Sequence, residues 1–509
     1  MDCLAAVFRE IEKPLSLERI ALEPPTATEV MVHIAAIGLC RTDYHVMRGE
    51  RRVAMTPMVL DHEAAGVVEA IGAEVQGIAP GDHVVLTFIP ACGTCRWCRQ
   101  GLHHLCAEGL RITQGPQLDG TYRRRDQHGA DVGAFCMIGA SAERTVMDQA
   151  SVVVIDKDLP LDLASLVACG VPAGVGAARH RARVKPGDSV LVVGCGGDGM
   201  NVVQGARLCG AAKIIAADIV PAKLDWARDF GATDGVNARG EALTRAVHEL
   251  TDGVGVDHAF VCIDPPETLL PAFRATAKAG NVVVTALTPD TVGEIKIPPL
   301  ELFATQKAVM GAVYGFTSQR VQIPELLRLY RSGDLKLREL VTRTYRLDEI
   351  NQGYADLEAG KNLRGVVVLG ARWRRWPWRR CWRLLLKTAV EFFETIQRTL
   401  YVPLIHVLEL RARHGLLRAD LPAKVVKLAD GATIRIDPNK VAGPFAHRGG
   451  FGRRRDRDLV FRRKDMFRNK DLIQPHIRRE SQRAEDRDAH DAHPEAGPPA
   501  AAQCCRVLC

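Results

Sequence analysis

Residues 1–370 predict an α/β protein in which a barrel-like β domain accompanies a doubly wound parallel sheet, and residues 371–509 predict a mostly disordered C-terminal extension. Three observations carry this expectation. Short apolar runs punctuated by Gly and Pro dominate the early part of the chain; buried strands alternate with helices from Lys185 to about Thr288; and the tail from Ala371 is dense in Arg.

In chain order, the β-rich part includes Val30-Met31-Val32-His33-Ile34, Ala65 to Ile71 and His83-Val84-Val85-Leu86, with breaks at Gly72 to Gly77 and Pro80-Gly81-Asp82. From this domain projects Cys92-Gly93-Thr94-Cys95-Arg96-Trp97-Cys98, followed after seven residues by Cys106. Four thiolates at this spacing can wrap one tetrahedral ion, with Gly93 permitting the tight turn, so a closed structural zinc site is expected. A disulfide pair, an iron–sulfur run and four unrelated buried cysteines are the competing readings. An iron–sulfur run expects its fourth Cys sooner with Pro after it, and no secretory signal favours disulfides.

The next segment supplies strands at Ser189 to Val193, Ala212 to Ala216, His258 to Val261 and Asn281 to Val284, the rhythm of a parallel doubly wound sheet. Helices are expected around Pro324 to Ser332 and Leu347 to Ala359, and a last strand at Gly365 to Leu369. Gly194-Cys195-Gly196-Gly197-Asp198-Gly199 follows the first of these strands and opens a helix. G-x-G-x-x-G alone is weak, but here the glycines let backbone approach a pyrophosphate, and Asp218 ends the next strand where a ribose 2′-hydroxyl would lie. An acid there repels a 2′-phosphate, so NAD is expected over NADP.

Length and charge bound the rest. At 509 residues two or three domains are expected, no apolar run reaches the roughly 18 residues of a membrane span, and the fifteen cysteines fit a reducing, cytoplasmic setting. Residues 371–509 hold 30 Lys+Arg against 16 Asp+Glu, leaving 38 against 44 for residues 1–370. The mildly acidic body argues against nucleic acid as its partner.

A third constellation is dispersed: Cys40-Arg41-Thr42-Asp43-Tyr44-His45, then His62-Glu63, then Cys169-Gly170. Two Cys and one His suit a catalytic zinc with an open fourth position, yet packed core residues explain the same types, and spacing does not decide between them. At these residues the sequence resembles the zinc-dependent alcohol dehydrogenases of the medium-chain dehydrogenase/reductase family, in their bacterial, actinobacterial-type branch. The resemblance runs from about Met1 to Gly370 through C-R-T-D-x-H, H-E-x-x-G-V-V, P-G-D-H-V, the four-Cys lobe, A-C-G-V, the dinucleotide fingerprint and N-L-R-G-V.

The resemblance implies a GroES-like catalytic domain over residues 1–180 with the zinc lobe, a Rossmann NAD-binding domain over 181–310, and a return to the catalytic domain over 311–370. It implies two zinc ions: a catalytic one on Cys40, His62 and Cys169, with Glu63 and Asp43 behind them, and a structural one on Cys92, Cys95, Cys98 and Cys106. Thr42 would bind the alcohol hydroxyl and His45 would carry its proton outward. Arg41 and Arg364 would pair with the pyrophosphate on Gly194, Gly196 and Gly199, Asp218 and Lys223 would hold the adenosine ribose, and Phe88 would line the substrate pocket. Residues 113–141 are similar to the insertion of dimeric members, so a homodimer acting on a small alcohol or aldehyde is expected.

Three departures stand out: Asp61 where the family has Gly, Asp198 where the fingerprint is usually apolar, and Pro172 where Thr is common. The stretch Arg111-Ile112-Thr113-Gln114-Gly115 is similar to the glutathione-dependent formaldehyde dehydrogenases, whose Arg holds a thiol adduct's carboxylate; that class generally lacks the His at position 45, which ranks this reading second. A non-catalytic zinc- and NAD-binding relative is the third. The tail opens with four of the six Trp interleaved with Arg over residues 372–383, which suits an anionic membrane surface or nucleic acid. An amphipathic helix is expected at 387–399 and low order at 449–487. The simpler reading of the tail is translation past a shifted or lost stop codon.

Overall fold

The structure is a computed structural model that describes residues 1–369, apart from 264, 265, 291 and 293, and the backbone of two short strands at Lys424–Lys427 and Thr433–Ile436. The tail segments 372–383, 387–399 and 449–487 lie outside the described residues.

The first part of the chain forms β1 (Asp2–Phe8), β2 (Ser16–Leu22), β3 (Glu29–Gly38), β4 (Met58–Val59), β5 (Ala64–Ile71), β6 (His83–Leu86), β7 (Arg124–Arg125), β8 (Gly133–Ala134), β9 (Arg144–Asp148) and β10 (Val152–Ile155). One five-stranded sheet runs β7-β2-β1-β4-β8. Within the other sheet β3 is the axis, pairing antiparallel with both β5 and β9. It is buried on both faces, which is why its sequence reads as a continuous apolar run. Register shifts between Met31 and Val32 and between Ile34 and Ala36 bend the β3–β5 pair, as bulges do where a sheet curls.

The central part forms β11 (Ser189–Val193), β12 (Lys213–Ala217), β13 (Asp234–Val236), β14 (Val256–Val261), β15 (Thr276–Val284) and β16 (Ala308–Gly311). All pairs are parallel, in the order β13-β12-β11-β14-β15-β16. The order reverses at β11, which opens a crevice at the carboxyl ends of the strands, the place where such sheets take ligands. The chain then returns through β17 (Val341–Tyr345) and β18 (Arg364–Val368), and β18 pairs antiparallel with β3 and completes the seven-stranded sheet.

Sequence periodicity and the structure differ in instructive places. The helix expected from Pro324 starts at Gln319, so Pro324 lies inside it. Pro is a start signal only when nothing upstream gains from being helical; here Gln319, Gln322 and Ile323 are buried by the earlier turn. The helices flanking Cys169, Leu161–Ala168 and Gly170–Ala182, meet at 54°. Among the described residues no single helix is long and apolar enough to cross a membrane. Chain 379–509 is a separate unit; its described part is an antiparallel pair, β19 (Lys424–Lys427) and β20 (Thr433–Ile436), which the sequence analysis did not assign.

Candidate active site and metal centres

Among the described residues, two groups place their donor atoms within 4.8 Å of one another: Cys40, His62 and Cys169, and Cys92, Cys95, Cys98 and Cys106. Each member of the first group sits at an element boundary. Cys40 is the extended residue preceding helix Arg41–Met47, His62 lies between β4 and β5, and Cys169 occupies the break between two helices. Three chain segments far apart in sequence thus converge.

Asp61 explains itself here. Its φ is +65°, the left-handed region where Gly is the default and Asp is among the tolerated exceptions. Its Oδ1 accepts from the Tyr354 hydroxyl at 2.5 Å. Burial, reinforced by the neighbouring Asp43 charge, holds its carboxyl well above the usual range. Burial thus disfavours the charged form of Asp61, and Tyr354 is its hydrogen-bond partner.

Asp43 orients the imidazole. Its Oδ1 accepts from His62 Nδ1 at 3.2 Å and from the Asp61 backbone N–H at 3.0 Å. A proton on Nδ1 leaves Nε2 as the free lone pair, and Nε2 stands 3.2 Å from the Cys169 sulfur. In a zinc tetrahedron with Zn–S of about 2.3 Å and Zn–N of about 2.0 Å, neighbouring donors are roughly 3.5 Å apart, so this donor set fits the ion. A hydrogen bond from the Cys169 thiol holds Cys40 well below the usual thiol value, the state a metal ligand needs. Thr42 Oγ1 is 3.6 Å from the Cys40 sulfur, which sets its hydroxyl beside the cluster.

Behind the cluster Glu63 accepts from Arg364 Nη2, and burial raises its carboxyl to about 8. The space Glu63 occupies exists because residue 38 is Gly: a Cβ there would lie 2.2 Å from Glu63 Oε1. Arg364 also packs against the glycine loop, where a Cβ on Gly197 would meet its Cδ at 2.6 Å. One guanidinium thus touches both the zinc-ligand segment and the dinucleotide loop. His45 is buried, with Nδ1 2.5 Å from Glu50 Oε2, and Glu50 is 39 % exposed. Phe88 meets the His62 ring edge-on at 5.2 Å and stacks on Tyr314 at 3.9 Å.

The glycine loop forms a cradle. Gly194 has φ +94°, and a Cβ on Gly199 would lie 1.9 Å from the Gly194 carbonyl oxygen, whereas a Cβ on Gly196 would meet nothing. Two glycines are required by the turn and the third leaves an open face. Asp218, just past β12, accepts from the backbone N–H groups of Cys195 and Val220, each at 2.9 Å, and Lys223 Nζ is 3.7 Å away. Arg41 stacks over the Tyr44 ring at 5.3 Å. A single cavity of about 1780 Å³ takes in Cys40, Thr42, His45, His62, Phe88, Cys169, the glycine loop, Asp218, Lys223, Arg41 and Arg364.

In the second group the four sulfurs are unpaired by disulfides. Backbone N–H groups of Cys95 and Cys98 point at the sulfurs of Cys92 and Cys95, both at 3.4 Å, and backbone donation from Ala107 first of all holds Cys95 down at about 6. Turning amides toward sulfur stabilises thiolates, which suits a four-thiolate ion site. Pro172 falls in the first turn of helix Gly170–Gly176, where its missing N–H breaks no intrahelical bond.

Two family models match the chain: an alcohol dehydrogenase GroES-like domain over residues 26–157 and a zinc-binding dehydrogenase domain over 197–332. The NDMA-dependent alcohol dehydrogenase of Amycolatopsis methanolica is 41% identical over 373 residues, 73% of this chain and 100% of the relative. The chain belongs to the zinc-dependent alcohol dehydrogenases of the medium-chain dehydrogenase/reductase family. The S-(hydroxymethyl)glutathione dehydrogenase of Saccharomyces cerevisiae is 38% identical over 374 residues, 72% of this chain and 96% of the relative. The crystal structure of benzyl alcohol dehydrogenase from Acinetobacter calcoaceticus superposes with a TM-score of 0.69 at 31% identity, covering 73% of this dehydrogenase and 100% of that chain.

Sequence reasoning missed several residues that this alcohol dehydrogenase uses to build the site. Glu50, Tyr354, Gly38 and Tyr314 carry no motif, and only the Gly at the end of a strand offered a hint. Arg111, which the thiol-adduct reading requires, donates to the carbonyl oxygens of Leu118 at 2.8 Å and Gln117 at 2.9 Å. Its neighbours Leu110 and Ile112 line the cavity instead.

Proposed function

We propose that this dehydrogenase oxidises a primary or secondary alcohol to the aldehyde or ketone and passes hydride to NAD, using one catalytic and one structural zinc per chain. The observation that carries the reading is the Asp43–His62 hydrogen bond, which turns His62 Nε2 toward two cysteine sulfurs at the wall of a cavity shared with the glycine cradle. Cys40, His62 and Cys169 would hold the catalytic ion, which when bound supplies Lewis acidity that lowers the pKa of an alcohol towards neutrality. Thr42 orients the substrate hydroxyl and accepts its proton bond. His45, backed by Glu50, moves that proton toward solvent. Phe88, Tyr314, Leu110 and Ile112 form an apolar wall, which suits an apolar alcohol such as the one in the name of the Acinetobacter relative.

Asp218 and Lys223 would hold the adenosine ribose, Arg41 and Arg364 the pyrophosphate. Exposed apolar side chains on helix Pro299–Thr305, just before the edge strand β16, with Leu300 76% and Phe303 82% exposed, support a homodimer. The test is a panel of primary and secondary alcohols, including S-hydroxymethyl glutathione, with NAD or NADP and NADH absorbance as readout. Alcohol-dependent NADH formation is expected, and Asp218→Gly should weaken NAD and partly admit NADP. Zinc content without any turnover would overturn the reading in favour of a non-catalytic relative.

A further inference from the structure

The glycine loop carries a group that phosphate binding does not use. Asp198 stands in the first turn of helix Gly197–Leu208 and lines the central cavity. One carboxylate oxygen, Oδ2, accepts from the Thr285 hydroxyl. The other, Oδ1, is buried without a hydrogen-bond partner. The Cys262 thiol lies against the same carboxyl. A buried carboxylate faced only by a hydroxyl and a thiol is unfavourable as an anion unless a ligand brings positive charge near it.

The topology says which part of a ligand this is. Asp218 follows β12, on one side of β11, whereas Thr285 follows β15 and Cys262 follows β14, on the other side. A dinucleotide laid across the carboxyl ends of the sheet with its pyrophosphate on the loop has one nucleoside on each side of β11. Asp218 marks the adenosine side, which leaves Asp198 on the nicotinamide side. The reacting end confirms that assignment by contact: a Cβ on Gly174, in the helix that starts after Cys169, would lie 2.5 Å from the Asp198 carbonyl oxygen, and Arg364 packs on Gly197 while bonding Glu63 beside His62. Arg364, whose charge acts on Asp198, is therefore already paired.

We propose that Asp198 is a redox-selecting contact in this enzyme, its carboxylate facing the nicotinamide ring and favouring the oxidised cofactor over the reduced one. The inference rests on the NAD reading above. In the reaction the carbinol C–H bond breaks and its hydride, with both electrons, forms a new C–H bond at the ring; the alcohol proton leaves separately by Thr42 and His45. The ring begins cationic and ends neutral. Asp198 thus attracts the cofactor before hydride transfer and loses that attraction afterwards, which weakens NADH relative to NAD⁺ and eases its release. Burial raises the Asp198 carboxyl to about 6, which leaves it largely ionised at pH 7.5.

The experiment is fluorescence titration of the zinc-loaded full-length protein with NAD⁺ and NADH separately at pH 7.5, for wild type, Asp198→Asn and Asp198→Val, with thermal melts and zinc content confirming the fold of each. Removal of one charge facing a cationic ring should lower the ratio Kd(NADH)/Kd(NAD⁺) about tenfold in both variants, mainly through weaker NAD⁺. An unchanged ratio in both overturns the proposal. So does a ratio that Asn preserves and Val alone alters, because a hydrogen bond rather than a charge would then be responsible. Failure of wild type to bind either form sinks the dinucleotide reading itself, a result distinguishable from an unchanged ratio.

Discussion

Asp198 and Asp61 are both carboxylic acids where the family has an uncharged residue, and burial pushes both upward. Burial and the adjacent Asp43 charge push the Asp61 carboxyl well above the usual range, with Tyr354 as partner. Asp198 is raised from 3.8 only to about 6. A carboxyl whose folded pKa lies above its unfolded value contributes stability that is complete below about pH 3.8 and lost as pH rises through about 6. The buried charge therefore destabilises the cofactor-free protein at pH 8 by up to about 3 kcal/mol. Asp198→Asn should melt at the same temperature as wild type at pH 4 and higher at pH 8; equal melting at both would show that the charge is solvated. The proton relay makes a second prediction at this scale. His45→Gln should slow alcohol oxidation about tenfold below about pH 8, where hydroxide cannot replace the lost base, and Glu50→Gln should act in the same direction but less. Thr42→Ala should be worse at every pH, and the Thr42 and His45 changes should be non-additive because they act on one proton. An unaltered pH profile in His45→Gln would send the proton by another route.

Elements were more legible than the contacts between them. The apolar runs located β3, β5, β6, β11, β12, β14 and β15 within a few residues, because each strand holds a stretch of consecutive buried apolar residues, as Val190–Val193 and Ala259–Val261 show. The start of helix Gln319–Arg331 was not legible, since its first turn is held by burial of Gln319, Gln322 and Ile323 rather than by a cap or by propensity. The lobe from Cys92 to Cys106 is the element whose order depends most on an ion: its described secondary structure amounts to helix Arg96–Arg99 and 3₁₀ turn His103–Leu105. Binding free energy at such a site is folding free energy. Cys98→Ser should therefore lower zinc from two per chain to one by elemental analysis and lower the melting temperature, with the lobe becoming the first site of proteolysis. Full zinc content in Cys98→Ser would exclude it as a ligand.

For the whole molecule, the relatives are matched over nearly their full length by about three quarters of this chain, so the dehydrogenase activity belongs to residues 1–370. A protein ending at Gly370 should keep both zinc ions, NAD affinity and kcat within about twofold, while its net charge moves from +8 to −6, the balance of 38 Lys+Arg against 44 Asp+Glu. Loss of the basic tail should abolish any retention on anionic vesicles or nucleic acid, which activity and binding assays on the two lengths would read in parallel. A truncated protein without zinc or turnover would make the tail part of the enzyme.

The sequence by itself determined the parallel sheet, the glycine loop with its acid at Asp218, and the four-cysteine lobe, because each is encoded within a short stretch by periodicity or spacing. The three-residue cluster of Cys40, His62 and Cys169 was legible only through resemblance, since 107 residues separate His62 from its neighbour Cys169 and no local pattern spans that distance. Tertiary structure alone decided that Asp61 occupies a left-handed turn against Tyr354, that Glu63 and Arg364 pair behind the cluster, and that Arg111 bonds its own loop. It alone also placed Asp198 at the cavity wall with Thr285 and Cys262 against its carboxyl, because charge and hydrogen bonding in a buried site depend on which distant segments close around a side chain.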